Sequence, residues 1–139
     1  MTSKVSVEDA NNFLTSAFER GTSAPAVTLM EDGHAVMRLK AGREHLRPGG
    51  YISGPTQMSL ADSVTYMAIF TRLGITPMTV TSNLNMNFLR PCIGQAVIAE
   101  AKLLKLGRTL AVAEVEIRAE GAGKVASHAI VTYSIPQEA

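Results

Sequence analysis

The segment "SGPTQMSLADSVTYMAIFTRLG", Ser53–Gly74, limits the possible folds of this chain more than any other. Pro55 suits a first helical turn, where its missing N–H costs no intrahelical bond. Ser53 or Gly54 would then be the cap, and Gly74 would close the helix after Leu73. Between these ends Met58, Leu60, Ala61, Val64, Met67, Ala68, Ile69 and Leu73 span more than one stripe. Such a helix must be covered on most sides. One acid interrupts it: Asp62 is the only charged residue before Arg72. A carboxylate in an apolar helix is costly unless it is hydrogen-bonded or wet.

The strands that could cover this helix follow it. In "MTVTSNLNMNF", Met78, Val80, Ser82, Leu84, Met86 and Phe88 alternate with Thr79, Thr81, Asn83, Asn85 and Asn87. Strict alternation predicts one buried and one polar face. Asn is a poor strand former, so the asparagines are expected to pair across an edge. "RPCIG" breaks the pattern. Gln95–Leu106, Thr109–Glu120 and Lys124–Ile135 then read as long strands joined by "LGR" and "EGAG". Short turns between successive strands predict an antiparallel meander. Upstream, Val27–Met30 and His34–Leu39 form a hairpin around "EDG", and "AGREHLRPGG" is a loop. Within residues 1–22, Ser6 and Asp9 resemble a capping box. Phe13, Leu14, Ala17 and Phe18 make one apolar stripe, and Gly21 would end this amphipathic helix.

The expected product is one α+β domain over 1–139, with a central helix at 54–73 and an extra N-terminal helix. A strongly curved antiparallel sheet would wrap the helix, or a flatter sheet would need a partner subunit. Hydrophobic residues make up 46% of the 139 and aromatics only 5%, so the core must be aliphatic. A formal net charge of +1 gives no global field toward nucleic acid. No apolar run is long enough for a membrane span, and the acids in "MTSKVSVEDANNF" do not fit a signal peptide. The single Cys92 leaves no disulfide framework. A cytoplasmic setting is expected. No serine elbow, Cys–His pair or zinc spacing is present, and no metal site is expected.

In order, "SGPTQMSLAD", "VTSNLNMNFLRP", "LKLGRTLAVAEVEI" and "GKVASHAIVTYS" resemble the PaaI-like acyl-CoA thioesterases. These are hotdog-fold proteins of the 4-hydroxybenzoyl-CoA thioesterase superfamily. The resemblance runs from about His34 to the C-terminus. Ser53 stands where the family's His-Gly-Gly motif has its His, Gly54 matches the first Gly, and Pro55 replaces the second. Asp62 matches the acid of Leu-x-Asp. The resemblance implies that Gly54 and Asp62 are catalytic, with the Thr81 hydroxyl helping to hold the water or the acid. It also implies coenzyme A contacts at the turn Lys105, Gly107, Arg108 and Thr109. Arg90 and Phe88 are further candidates, and coenzyme A enters as part of the substrate rather than as a cofactor.

The residues also support this reading physically. Gly54 would offer an unpaired N–H at the positive end of the helix dipole, suited to a carbonyl becoming an oxyanion. A plain capping role fits it as well. Asp62 follows by eight residues, about 12 Å along the axis, too far for one thioester carbonyl to meet both. A two-fold dimer, or a dimer of dimers, would let Gly54 of one chain face Asp62 of another. Related enzymes carry His-Thr-Asn in the preceding loop. Here His45 matches the His, but Arg47 replaces the Asn and cannot accept a hydrogen bond from water. Arg47 could instead pair with a partner's acid or bind a carboxylate or phosphate. These departures leave room for a rival, a non-catalytic acyl-CoA-binding or regulatory hotdog protein. A hotdog dehydratase would place its acid nearer the helix start.

Overall fold

The computed structural model describes residues 2–18 and 24–137. Its elements are α1 (Val7–Ala17), β1 (Ala26–Glu31), β2 (His34–Lys40), α2 (Gly54–Leu73), β3 (Val80–Phe88), β4 (Ala96–Leu106), β5 (Leu110–Ala119) and β6 (Ser127–Ser134). The central helix lies where the sequence puts it. Ser53 is the cap and Gly54 the first helical residue, and Gly74 ends the helix at φ 82°, a conformation that favours glycine. The N-terminal helix is shorter than 1–22. Ser6 caps it through the Asp9 N–H, and it stops at Ala17, where Phe18 is already extended. Gly21 lies outside the described residues. Among these, no helix is long and apolar enough to cross a membrane.

The six strands form one antiparallel sheet in the order β1-β2-β4-β5-β6-β3. The expected meander is β4 to β6. β3 does not precede β4 in the sheet. It lies at the far edge beside β6, while β4 pairs with β2. The reason is α2, which carries the chain across the concave face between β2 and β3. This wrapped helix and six-stranded curved sheet, with the extra α1, is the hotdog architecture.

Cross-strand register explains how the sheet receives the helix. Ala35, Ala101, Val115, Ala129 and Met86 form one row across five strands. Met37, Ala99, Ile117, Ser127 and Phe88 form the next. Small side chains on β4 and β6, Ala99, Ala101, Ser127 and Ala129, let α2 approach closely. Val64, Met67, Ala68, Ile69 and Phe70 are then fully buried. The opposite side of α2 is covered by α1, whose Phe13 ring meets Phe70 at 5.2 Å and Tyr66 at 6.1 Å. Asn11 ties α1 to β1 by two bonds with the Val27 backbone. The outward sheet face is polar, with cross-strand pairs such as His34–Glu100 and His128–Glu114.

β3 departs most from the sequence reading. Its apolar residues do not share one buried face: Val80, opposite Ser134, lies on the outward side and is 56% exposed, Phe88 is 50% exposed, and Leu84 and Met86 are half-buried against the core. As an edge strand it has a neighbour on one side alone.

Ala101 and its neighbours leave no room for a larger side chain beneath α2. Replacing Ala101 with Leu should cost about 1–3 kcal/mol, read as a lower urea midpoint at unchanged slope.

Candidate active site

Asp62 is half-buried on α2, and its carboxylate has a defined arrangement of donors. Oδ1 accepts from Thr81 Oγ1 at 2.5 Å and from Tyr133 Oη at 2.8 Å. Tyr133 Oη also lies 3.0 Å from the Asp62 main-chain carbonyl oxygen. Among the described residues no donor reaches Oδ2. The acid is thus hydrogen-bonded on one oxygen and open on the other, which answers the cost of placing it in an apolar helix.

Thr81 reaches Asp62 because of a β-bulge. Plain alternation puts Thr81 on the face of Asn83, Asn85 and Asn87. In the structure the register slips between Thr81 and Asn83, so one extra residue, Ser82, intervenes. Thr81 then stands opposite Tyr133, while Leu84 stands opposite Val131 on the same helix-facing side. A bulge re-aims a side chain in just this way.

Tyr133 was missed by the sequence reading. It ends the inward row of Ala129, Val131 and Tyr133 on β6, where a buried phenol needs a partner. That need was the available signal. Burial pushes its hydroxyl pKa well above the ordinary tyrosine range; Thr81 opposes this and the Asp62 charge adds to it. Tyr133 therefore remains a neutral donor.

The start of α2 carries the other sequence-predicted site residue, Gly54. Of its first four backbone positions, Pro55 has no N–H, Thr56 N–H goes to Ser53 Oγ, and Gln57 N–H goes to the Ser53 carbonyl. Among the described residues nothing accepts the Gly54 N–H. One open donor is left at the positive end of the helix. A methyl group on Gly54 would meet only the Phe88 ring, at an ordinary 3.6 Å. Gln57 anchors this end by accepting from Ser127 Oγ at 2.6 Å.

Within one chain the two halves stay apart. A cavity of about 590 Å³ opens beside Asp62, with Leu14, Phe18, Tyr66, Pro77 and Thr81 among its walls, but Gly54 is not one of them. The coenzyme A candidates divide the same way. Lys105 stands near the end of β4, and Gly107, Arg108 and Thr109 form the β4–β5 turn, closed by Gly107 N–H to the Leu110 carbonyl. That turn lies at the end of the sheet where Leu110, Ser134 and Val80 align, the end of Asp62. Phe88 and Arg90 lie at the opposite end with Gly54, where Arg90 donates to the Val125 carbonyl. Arg47 is exposed in the loop before α2, and its side chain donates to the Pro48 carbonyl at 3.3 Å. His45 lines the Asp62 cavity, with Nδ1 accepting the Gly42 N–H. On α2, Tyr66 lines the cavity, whereas Met67 and Phe70 are core.

Comparisons with known proteins agree with this architecture. The sequence pattern of the thioesterase superfamily matches residues 49–126. Human acyl-coenzyme A thioesterase 13 is 27% identical over 110 residues, covering 78% of this chain and 77% of that protein. A crystal structure from Silicibacter sp. is 33% identical and superposes with a TM-score of 0.90, covering 99% of this chain and 96% of the other. The phenylacetic acid degradation protein PaaI from Thermus thermophilus is 26% identical, with a TM-score of 0.71 over 90% of this chain and 99% of that one. The chain belongs to the thioesterase superfamily and is a hotdog-fold protein of its PaaI-like group.

Proposed function

We propose that this protein hydrolyses an acyl-CoA thioester to the free acid and coenzyme A, at a site shared by two chains. One observation carries the reading. The open amide of Gly54 and the open oxygen of Asp62 lie toward opposite ends of one uncovered sheet edge. β3 runs about 26 Å from Val80 to Phe88. Two β3 edges paired antiparallel about a two-fold axis bring the Phe88 end of one chain to the Val80 end of the other. Gly54 then faces the partner's Asp62, twice per dimer. The exposed Val80, Phe88, Leu89 and Met58 become covered, and an unpaired strand edge is removed. Arg47, Phe88 and Arg90 of one chain come near the Lys105–Thr109 turn of the other, which reunites the coenzyme A candidates. A dimer or a dimer of dimers meets this requirement.

In this site the Gly54 N–H holds the thioester carbonyl oxygen and stabilises it as negative charge develops. Asp62 acts through Oδ2. As general base it takes a proton from water while the water oxygen bonds to the carbonyl carbon. The tetrahedral intermediate collapses, the C–S bond breaks, and the departing thiolate takes the proton back from Asp62. As nucleophile, Oδ2 itself bonds to the carbonyl carbon and expels the thiolate, and water hydrolyses the resulting anhydride. Thr81 holds the carboxylate in either case. The cationic turn binds the nucleotide phosphates by charge-assisted hydrogen bonds. The reading includes a cytoplasmic setting, in which the buried Cys92 stays a free thiol.

Asp62→Asn should lower kcat about 1,000-fold or more on any acyl-CoA the wild type hydrolyses. Gly54→Pro deletes one N–H at a position whose helical start tolerates proline, and Ser53 before it is already extended. It should lower kcat about 100-fold to 1,000-fold with an unchanged circular dichroism spectrum. The two inactive variants, unfolded and refolded together in equal amounts, should recover about a quarter of wild-type activity, because half the dimers then carry one intact site. No recovery would refute the shared site. Binding of acyl-CoAs of short, long and aromatic chain without turnover of any would favour the non-catalytic alternative.

The Lys105→Ala, Arg108→Ala double variant should raise KM for acyl-CoA about tenfold. It should leave KM unchanged for an N-acetylcysteamine thioester, which lacks the nucleotide. Equal effects on both substrates would remove the turn from the coenzyme A site.

A further inference from the structure

We propose that Tyr133 is a positioning residue for Asp62. With Thr81, its hydroxyl occupies Oδ1 and fixes Oδ2 as the oxygen that works on the thioester. The proposal rests on Asp62 being the acid of the reaction.

Tyr133 grips Asp62 at two points. Its one phenolic hydrogen is shared between Oδ1 at 2.8 Å and the main-chain carbonyl of the same residue at 3.0 Å. A carboxylate bonded only by Thr81 could turn about its side-chain torsions and exchange its oxygens. The second bond, tied to the helix backbone, opposes that rotation.

Tyr133 itself cannot drift. It is 4% exposed and stacked on Tyr66, with ring centroids 5.9 Å apart and an interplanar angle of 20°. Tyr66 is in turn fixed by its hydroxyl on the Pro77 carbonyl at 2.8 Å and by Phe70 at 4.5 Å. On the sheet, Tyr133 stands between Ala111 of β5 and Thr81 of β3. The small Ala111 leaves the ring space, and the bulge brings Thr81 to the same oxygen. Plain packing would be served as well by phenylalanine, without the cost of burying a hydroxyl. Because burial raises the pKa of the phenol, it donates throughout the range in which a thioesterase works.

The test is Tyr133→Phe, which removes only the oxygen. A residue acting through Asp62 should lower kcat about tenfold and leave KM for acyl-CoA within about twofold. In the Asp62→Asn background the same substitution should leave the residual hydrolysis unchanged, because the group it positions is gone. Placing 4-aminophenylalanine at 133 keeps a donor in the same place and should restore kcat to within about threefold of wild type. It also serves as the second variant should Phe fold poorly. The proposal is overturned by a Phe variant with wild-type kcat, by an equal loss in the Asp62→Asn background, or by no rescue from the amino analogue. Full turnover by Asp62→Asn alone would instead strike the reading of the acid, and so separates the two failures.

Discussion

The structure depends on burial of one helix in one sheet. α2 has no fully polar side, so it is stable only where apolar surface meets it nearly all round. The sheet supplies that surface by alternating alanine with larger aliphatics along its inner rows, and α1 closes the remaining side with Phe13. Everything chemical is then fixed relative to this packing. Gln57 on Ser127 sets the helix start, and Tyr133 on Asp62 sets the register eight residues beyond Gly54. A helix that slid by one turn would lose both bonds.

A second constraint follows from the first. A chain that crosses the sheet through α2 must deliver its next strand to the far edge, so β3 pairs only with β6. That position leaves backbone and apolar side chains uncovered, a state that soluble proteins avoid or use. In the proposed dimer it is used, and the distance between the two halves of the site is the reason. A single helix cannot present its N-terminal amide and an acid two turns later to one carbonyl. Two antiparallel copies can.

Elements were legible in the sequence where period and punctuation agreed. Pro55, Gly74 and the apolar residues between them fixed the limits of α2. The hairpin and the long strands β4 to β6 were readable from their turns. Ser6 capped α1 as expected, although the helix stops at Ala17. Gly54 and Asp62 stood out for local reasons: a glycine at a helix start and a lone charge among apolar neighbours. The place of β3 was not legible, because strand order depends on which way a helix crosses a sheet. Nor was the face of Thr81. A bulge adds one residue to one strand of a pair, and only the partner strand reveals it.

The sequence alone determined that this chain has a buried helix with one acid, enough strand to enclose it, and a resemblance to PaaI-like thioesterases. These follow from composition, period and motif, which are local properties of the chain. The tertiary structure decided which side chains touch the acid. It turned Thr81 inward, brought Tyr133 from the last strand to the same oxygen, left Oδ2 without a donor among the described residues, and held Gly54 away from all of them. Those relations join residues up to 71 positions apart. Strand register sets them, and no local pattern records it.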